Sequence, residues 1–176
     1  MIGEAVIPAG AHLFQINEED PISLDEKAAV EFHYIVYRLL FLSKRACRCL
    51  QTDVAFLCTR VQKPDTDDYK KLSRNLKYFR TIASLTLILG MDGNNTASWW
   101  VDGAFATHNY MKSHRGDYMS LRIGAAYASS SKQKLNTHSY TEADLVAADE
   151  SIPQVLWNWY FLEEQGYGIN DNILYQ

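Results

Sequence analysis

The chain has 176 residues, 47% of them apolar and 12% aromatic. That length suits one ordinary domain or two small ones, with ample material for a buried core. No apolar run approaches the roughly 18 residues a membrane span needs, and the first ten residues lack the basic and apolar regions of a signal peptide, so a cytoplasmic or nuclear protein without membrane attachment is expected. The net charge of −4 conceals a partition: residues 1–32 carry seven acids and one base, residues 33–80 eleven bases and four acids, and residues 81–176 five bases and ten acids. A basic block between acidic ones fits a segment that touches a phosphate backbone beside a site that gathers carboxylates, and equally fits a solvated helix face.

Residues 1–22 show no periodicity and contain Pro8, Gly10, Glu18-Glu19-Asp20 and Pro21, so a poorly ordered lead-in is expected. Ser23 and Glu26 stand at capping-box spacing, and Val30, Ile35, Leu39 and Leu42 recur at helical intervals, predicting a helix over about 24–43. A shorter helix begins after Thr52 and is closed by Pro64. Asp65 then caps a third, in which Tyr69, Leu72, Leu76 and Phe79 form an apolar stripe and Lys70, Lys71, Arg74 and Lys77 lie mostly off it. The three cysteines, Cys47, Cys49 and Cys58, lack zinc spacing and read as reduced thiols packed as small apolar groups.

Beyond Leu85 the period changes. Asp92-Gly93-Asn94-Asn95 is turn or linker chemistry, which places a boundary between a helical segment, 23–94, and a second domain, 95–176. Three strands are predicted there, over 97–106, about 117–121 and 123–129, as an antiparallel meander. Ser139 and Glu142 open a helix that Pro153 is expected to kink or break, with a very apolar continuation over 154–165 and a last strand at Ile173-Leu174-Tyr175. The order is that of an α+β protein with a mixed sheet and a crossover helix before its fourth, parallel strand.

Two places suit chemistry. Asp102 is a carboxylate inside an apolar strand, Trp99-Trp100-Val101-Asp102-Gly103-Ala104, where a metal ion can offset the cost of burial; it can also end the strand in a turn at Gly103. Glu142 can serve a site or cap its own helix from the third position. Asp144 lies about 200° around that helix from Glu142, so only one of the two belongs to a site. An Asp on a strand and a Glu opening the next helix suit magnesium, and two such cations about 4 Å apart would activate water against a phosphodiester.

Val101-Asp102-Gly103-Ala104, Ser113-His114-x-Gly116, Ser130-Ser131-Lys132-Gln133-Lys134, Thr141-Glu142-Ala143-Asp144 and Asn172-Ile173-Leu174-Tyr175-Gln176 together resemble the ribonuclease H domain of copia-type retrotransposon polyproteins. Upstream, Leu39-Leu40-Phe41-Leu42-Ser43-Lys44-Arg45, Asp53-Val54-Ala55-Phe56-Leu57 and Leu76-Lys77-Tyr78-Phe79-Arg80 resemble the connection segment that follows the reverse transcriptase in the same polyproteins. The resemblance spans about residues 32–176. It implies a ribonuclease H-like fold and Asp102 and Glu142 as catalytic, metal-binding residues. It also implies magnesium as cofactor, an RNA–DNA hybrid as partner and, where the frame is longer, the rest of the polyprotein. Lys70, Lys71, Arg74, Lys77, Lys132 and Lys134 are the candidate nucleic-acid contacts.

In that family the strand ending Leu-Tyr-x is followed at once by a third aspartate and later by a fourth acidic residue. The sequence stops at Gln176, so the resemblance implies an incomplete domain that is inactive as this chain. Residue 115 is Arg where the family usually has a small hydroxyl residue, and Asp144 replaces a usual Glu. No Tyr-x-Asp-Asp pair is present, so no polymerase activity is expected. A noncatalytic nucleic-acid or protein-binding module and a genomic relic without present function are the alternatives.

Overall fold

The computed structural model describes residues 3–91 and 93–176. The chain divides into two compact units between Thr86 and Leu87. That division falls before the turn at Gly93–Asn95 because Gly90 and Met91 already pair with a strand of the second unit. Among the described residues no helix is long and apolar enough to cross a membrane.

The first unit holds α1 (Glu26–Arg45), α2 (Gln51–Arg60) and α3 (Thr66–Ile82). Helix α1 starts two residues later than the Ser23 spacing suggested. Its cap is Asp25, whose side chain accepts from the Ala28 amide at 2.7 Å, while Ser23 is held in a bridge with Asp65. Asp65 does cap α3: its Oδ1 accepts from the Asp67 and Asp68 amides at 2.8 Å each, and Asp68 Oδ2 accepts from the Asp65 amide at 3.1 Å. Arg60 joins both carboxylates, 3.3 Å from Asp65 and 2.9 Å from Asp68, and so pins the end of α2 to the start of α3.

The core of this unit is Phe32, Val36 and Leu39 of α1, Leu50, Val54, Phe56 and Leu57 in and before α2, and Leu72 of α3. Each fully buried side chain of this kind contributes roughly 1.5–3 kcal/mol. Leu13 belongs to the same cluster, and Phe14 meets Phe56 edge to face at 5.8 Å. Of residues 3–22, which have no helix or strand, Ala5 and Leu13 are buried at no fixed interval while most of the others are exposed. Cys47 and Cys58 are half-buried against the core with thiol pKa values raised by burial, whereas Cys49 is exposed.

The second unit contains β1 (Gly90–Met91), β2 (Thr96–Ala104), β3 (Lys112–Ser120), β4 (Arg122–Ile123), β5 (Tyr127–Asn136), α4 (Tyr140–Glu164) and β6 (Asp171–Tyr175). Its mixed sheet has the order β5-β3-β2-β6, with β6 parallel to β2 and the other pairs antiparallel. The predicted third strand, 123–129, is in fact two elements. Gly124, at φ +68°, lies where a Cβ would stand 2.1 Å from the Ile88 carbonyl oxygen, so the chain turns there. Residues 122–123 pair with β1, while β5 runs on through the polar stretch to Asn136.

Helix α4 crosses from β5 to β6 and packs on β2, β3 and β5. It is unbroken at Pro153, contrary to the sequence expectation. An interior proline costs about 3 kcal/mol. Here Ala143, Ala147, Ser151 and Asn158 continue one buried stripe across it, so a break would uncover the sheet on one side of the proline.

Alternation along β2 turns Trp99, Val101 and Gly103 toward α4 and Trp100 and Asp102 away from it; Trp99 is fully buried. A Cβ at Gly103 would lie 2.6 Å from the Ala143 carbonyl oxygen, a backbone atom that cannot rotate aside. Gly103→Ala must therefore lift the first turns of α4 off the strand. A loss of about 2–4 kcal/mol is expected, measured as a fall in the denaturant midpoint of the second unit.

Candidate functional site

Asp102 is exposed near the end of β2, flanked by buried Val101 and Gly103 and opposite Gly116 of β3. The next residue ties it to α4, because the Gly103 amide donates to Asp144 Oδ1 at 3.1 Å. Glu142 is engaged elsewhere. Its Oε2 accepts from the His138 amide at 2.6 Å, and its own amide donates to Ser139 Oγ at 3.1 Å. This is the reciprocal cap that the sequence spacing allowed, reaching the amide before Ser139. Of the two carboxylates that open α4, Asp144 is the one bonded to the Asp102 strand, at the Gly103 amide, while Glu142 is engaged at the start of its own helix.

Below this junction a second link fastens α4 to the sheet. Arg115 Nη1 lies 3.1 Å from Asp117 Oδ2 and donates to Ser151 Oγ at 3.1 Å, and its Nε lies 3.0 Å from Glu150 Oε2 and donates to Ser131 Oγ at 3.1 Å. Asp117 is only 5% exposed, so the guanidinium compensates a carboxylate that would be costly alone. Arg115 and Asp117, two apart on β3, share the α4 face, a period-2 signal that the short predicted strand 117–121 did not include.

On the opposite face, Trp100 lies 5.1 Å from the Tyr118 ring and stacks on Tyr175 at 5.4 Å, forming an aromatic strip across β3, β2 and β6 beside Asp102. All three rings are partly exposed. A further feature that sequence reading passed over is a chain of His108, His114 and Ser130. His108 Nε2 is 2.8 Å from His114 Nδ1, and His114 Nε2 is 2.6 Å from Ser130 Oγ.

The basic candidates are differently placed. Lys71 is committed to Asp67 at 2.9 Å and donates to the Gln15 carbonyl at 2.5 Å. Lys70 and Arg74 line a cavity with residues of the 8–13 stretch, and Lys77 borders Glu4, Ala5 and Val6. The basic side of α3 is thus partly covered by the N-terminal segment of its own unit. Lys132 and Lys134 are exposed on β5, and the Lys134 carbonyl accepts from Lys112 Nζ.

Asp102 and Asp144 offer carboxylate oxygens of the kind magnesium takes, and no group of three or more His, Cys, Asp or Glu residues is placed to hold a metal among the described residues. No protein-family model, curated protein or solved structure matches the chain.

Burial lowers the pKa of both His108 and His114 from 6.5 to about 4, with Lys132 adding to the effect at the first and His108 and Arg115 at the second. Between pH 6.5 and 4 the unfolded chain therefore binds more protons than the folded one, so stability falls as pH drops through that window. The second unit should unfold more readily at pH 4.5 than at pH 7. In His108→Gln/His114→Gln this part of the pH dependence should disappear from thermal melts; an unchanged profile would show that the pair does not carry it.

Proposed function

We propose that the chain is a connection segment and ribonuclease H-like domain of a copia-type retrotransposon polyprotein, related to metal-dependent cleavage of RNA in RNA–DNA hybrids and inactive as this chain. What supports the reading is the β2–α4 junction. A carboxylate-bearing strand meets the opening of the crossover helix so closely that only glycine fits, and Asp144 of that helix accepts from the Gly103 amide. The mixed order β5-β3-β2-β6, with β6 parallel to the Asp102 strand, agrees with the expected meander, helix and parallel fourth strand.

In this reading Asp102 contributes exposed carboxylate oxygens to a cation, and Asp144, on the other face of the strand, holds the Gly103 amide and so fixes β2 against α4. Glu142 is the helix carboxylate that the resemblance offers to the cation, and here it also caps α4 by accepting from the His138 amide. Bound magnesium would supply Lewis acidity and an activated water at neutral pH. The strip Tyr118, Trp100 and Tyr175 gives nucleic-acid bases an aromatic surface beside the carboxylates. Two carboxylates hold a hard cation weakly, which is why the chain is expected to lack cleavage activity.

The strand register offers a direct test. Trp100 stands opposite Tyr175 in the parallel pair, so a residue added after Gln176 falls level with Asp102 in two steps along the ladder. A chain extended by one aspartate should bind Mn²⁺ at least tenfold more tightly than the 176-residue chain by calorimetry, and the gain should vanish in Asp102→Asn but survive in Asp144→Asn. Equal affinity for the two lengths would contradict the proposed site. Cleavage of a labelled hybrid by the 176-residue chain with magnesium, abolished in Asp102→Asn, would overturn the inactivity.

A further inference from the structure

The first unit contains a cavity of about 190 Å³ between residues 8–13 and α3, floored by Asp53 of α2. Drug-sized ligands occupy pockets of roughly 300 Å³ and more, so this one suits a compact molecule. Its chemistry is divided. Lys70 and Arg74, one turn apart on α3, are exposed at one side, and neither closes an ion pair among the described residues. Lys71 also borders the cavity but is neutralised by Asp67. Asp53, 3% exposed, is a buried carboxylate of α2 at the cavity's floor.

Cations at i and i+4 stand about 5–6 Å apart at their Cβ atoms, a spacing that a tetrahedral dianion bridges. A buried carboxylate needs hydrogen-bond donors, and an ammonium donor would be repelled by the two cations. Neutral hydroxyls satisfy both demands. We infer that this cavity binds a phosphorylated sugar, with its phosphate on Lys70 and Arg74 and a hydroxyl donated to Asp53.

The surroundings of Asp53 agree. Burial raises its pKa from 3.8 to about 6, opposed by a hydrogen bond from its own backbone amide and then by Arg74. The other charged or titratable groups facing the cavity are Lys70, Lys71 and Asp67 of α3 and His12 of the N-terminal segment, and the Tyr78 hydroxyl is near enough to sense the Asp53 charge. At neutral pH Asp53 is therefore mostly ionised and ready to accept. A buried carboxylate raised in this way lowers stability at pH 7, and its presence is accounted for by a ligand it serves.

Calorimetric titration of the full chain at pH 7 with ribose 5-phosphate, inorganic phosphate and ribose tests the inference. Ribose 5-phosphate should bind saturably and at least tenfold more tightly than phosphate, and ribose should not bind. Lys70→Gln/Arg74→Gln should weaken ribose 5-phosphate at least tenfold with an unchanged melting temperature. Asp53→Asn should reduce its affinity to that of phosphate while raising the melting temperature of the first unit, which separates lost binding from lost folding.

The sugar phosphate can be a free metabolite or the 5′ end of a nucleic acid. Competition by a 5′-phosphorylated oligonucleotide identifies the second source and its failure the first, and both support the site. Absence of saturable binding by ribose 5-phosphate, or equal affinity in the variants, overturns it.

Discussion

The close approach of α4 to β2 at Gly103 is the constraint on which the second unit depends. Because a Cβ there would meet the Ala143 backbone at 2.6 Å, the helix lies flat on the strand, and the Ala143, Ala147 and Ser151 stripe follows as its inner side. The same contact brings Asp144 to the Gly103 amide, next to Asp102. Two turns further on, Arg115 fixes Glu150 and Ser151 to β3, so the helix is held at two points along its length and cannot pivot about the first. Gln133 adds a third tie by donating to the Ala143 carbonyl at 2.8 Å. Asp102 is thereby carried on a strand whose position is fixed.

The first unit is held by a different device. Arg60 spans Asp65 and Asp68 at the joint of α2 and α3, while an irregular N-terminal stretch follows α3 and seals the core with Leu13 and Phe14. That stretch changes the meaning of the basic helix. Of its five cations, Lys71 is already neutralised, and Lys70 and Arg74 face a defined cavity.

Much of this was legible in the residues, for physical reasons that also explain what was not. The apolar stripe of α3 and its Asp65 cap are local features, as are the Ser139–Glu142 cap and the strand carrying Asp102, and each appears where spacing placed it. The α+β order and the parallel last strand followed from them. What spacing missed depends on tertiary contacts. Pro153 does not break α4 because the sheet holds both halves, and β5 extends through Ser130 to Lys134 because β3 supplies its hydrogen bonds where composition alone read as polar loop. Ala5 and Leu13 are buried although their segment is aperiodic. At the opening of α4, the 200° separation of Glu142 and Asp144 said that the two face different ways, but which of them meets the strand depends on where the strand lies, and that is not written in the helix.

The central claim is that Asp102, exposed at the end of β2, is the carboxylate around which a hard cation binds in the second unit. It is tested most directly by Mn²⁺ titration of the ¹⁵N-labelled chain, following paramagnetic broadening of the backbone amides. The account predicts that Asp102, Gly103 and the facing Gly116 broaden first, at lower Mn²⁺ than any other acidic position of the second unit. Earlier broadening around Asp149–Glu150, Glu163–Glu164 or Asp171, with Gly103 still sharp, would contradict it.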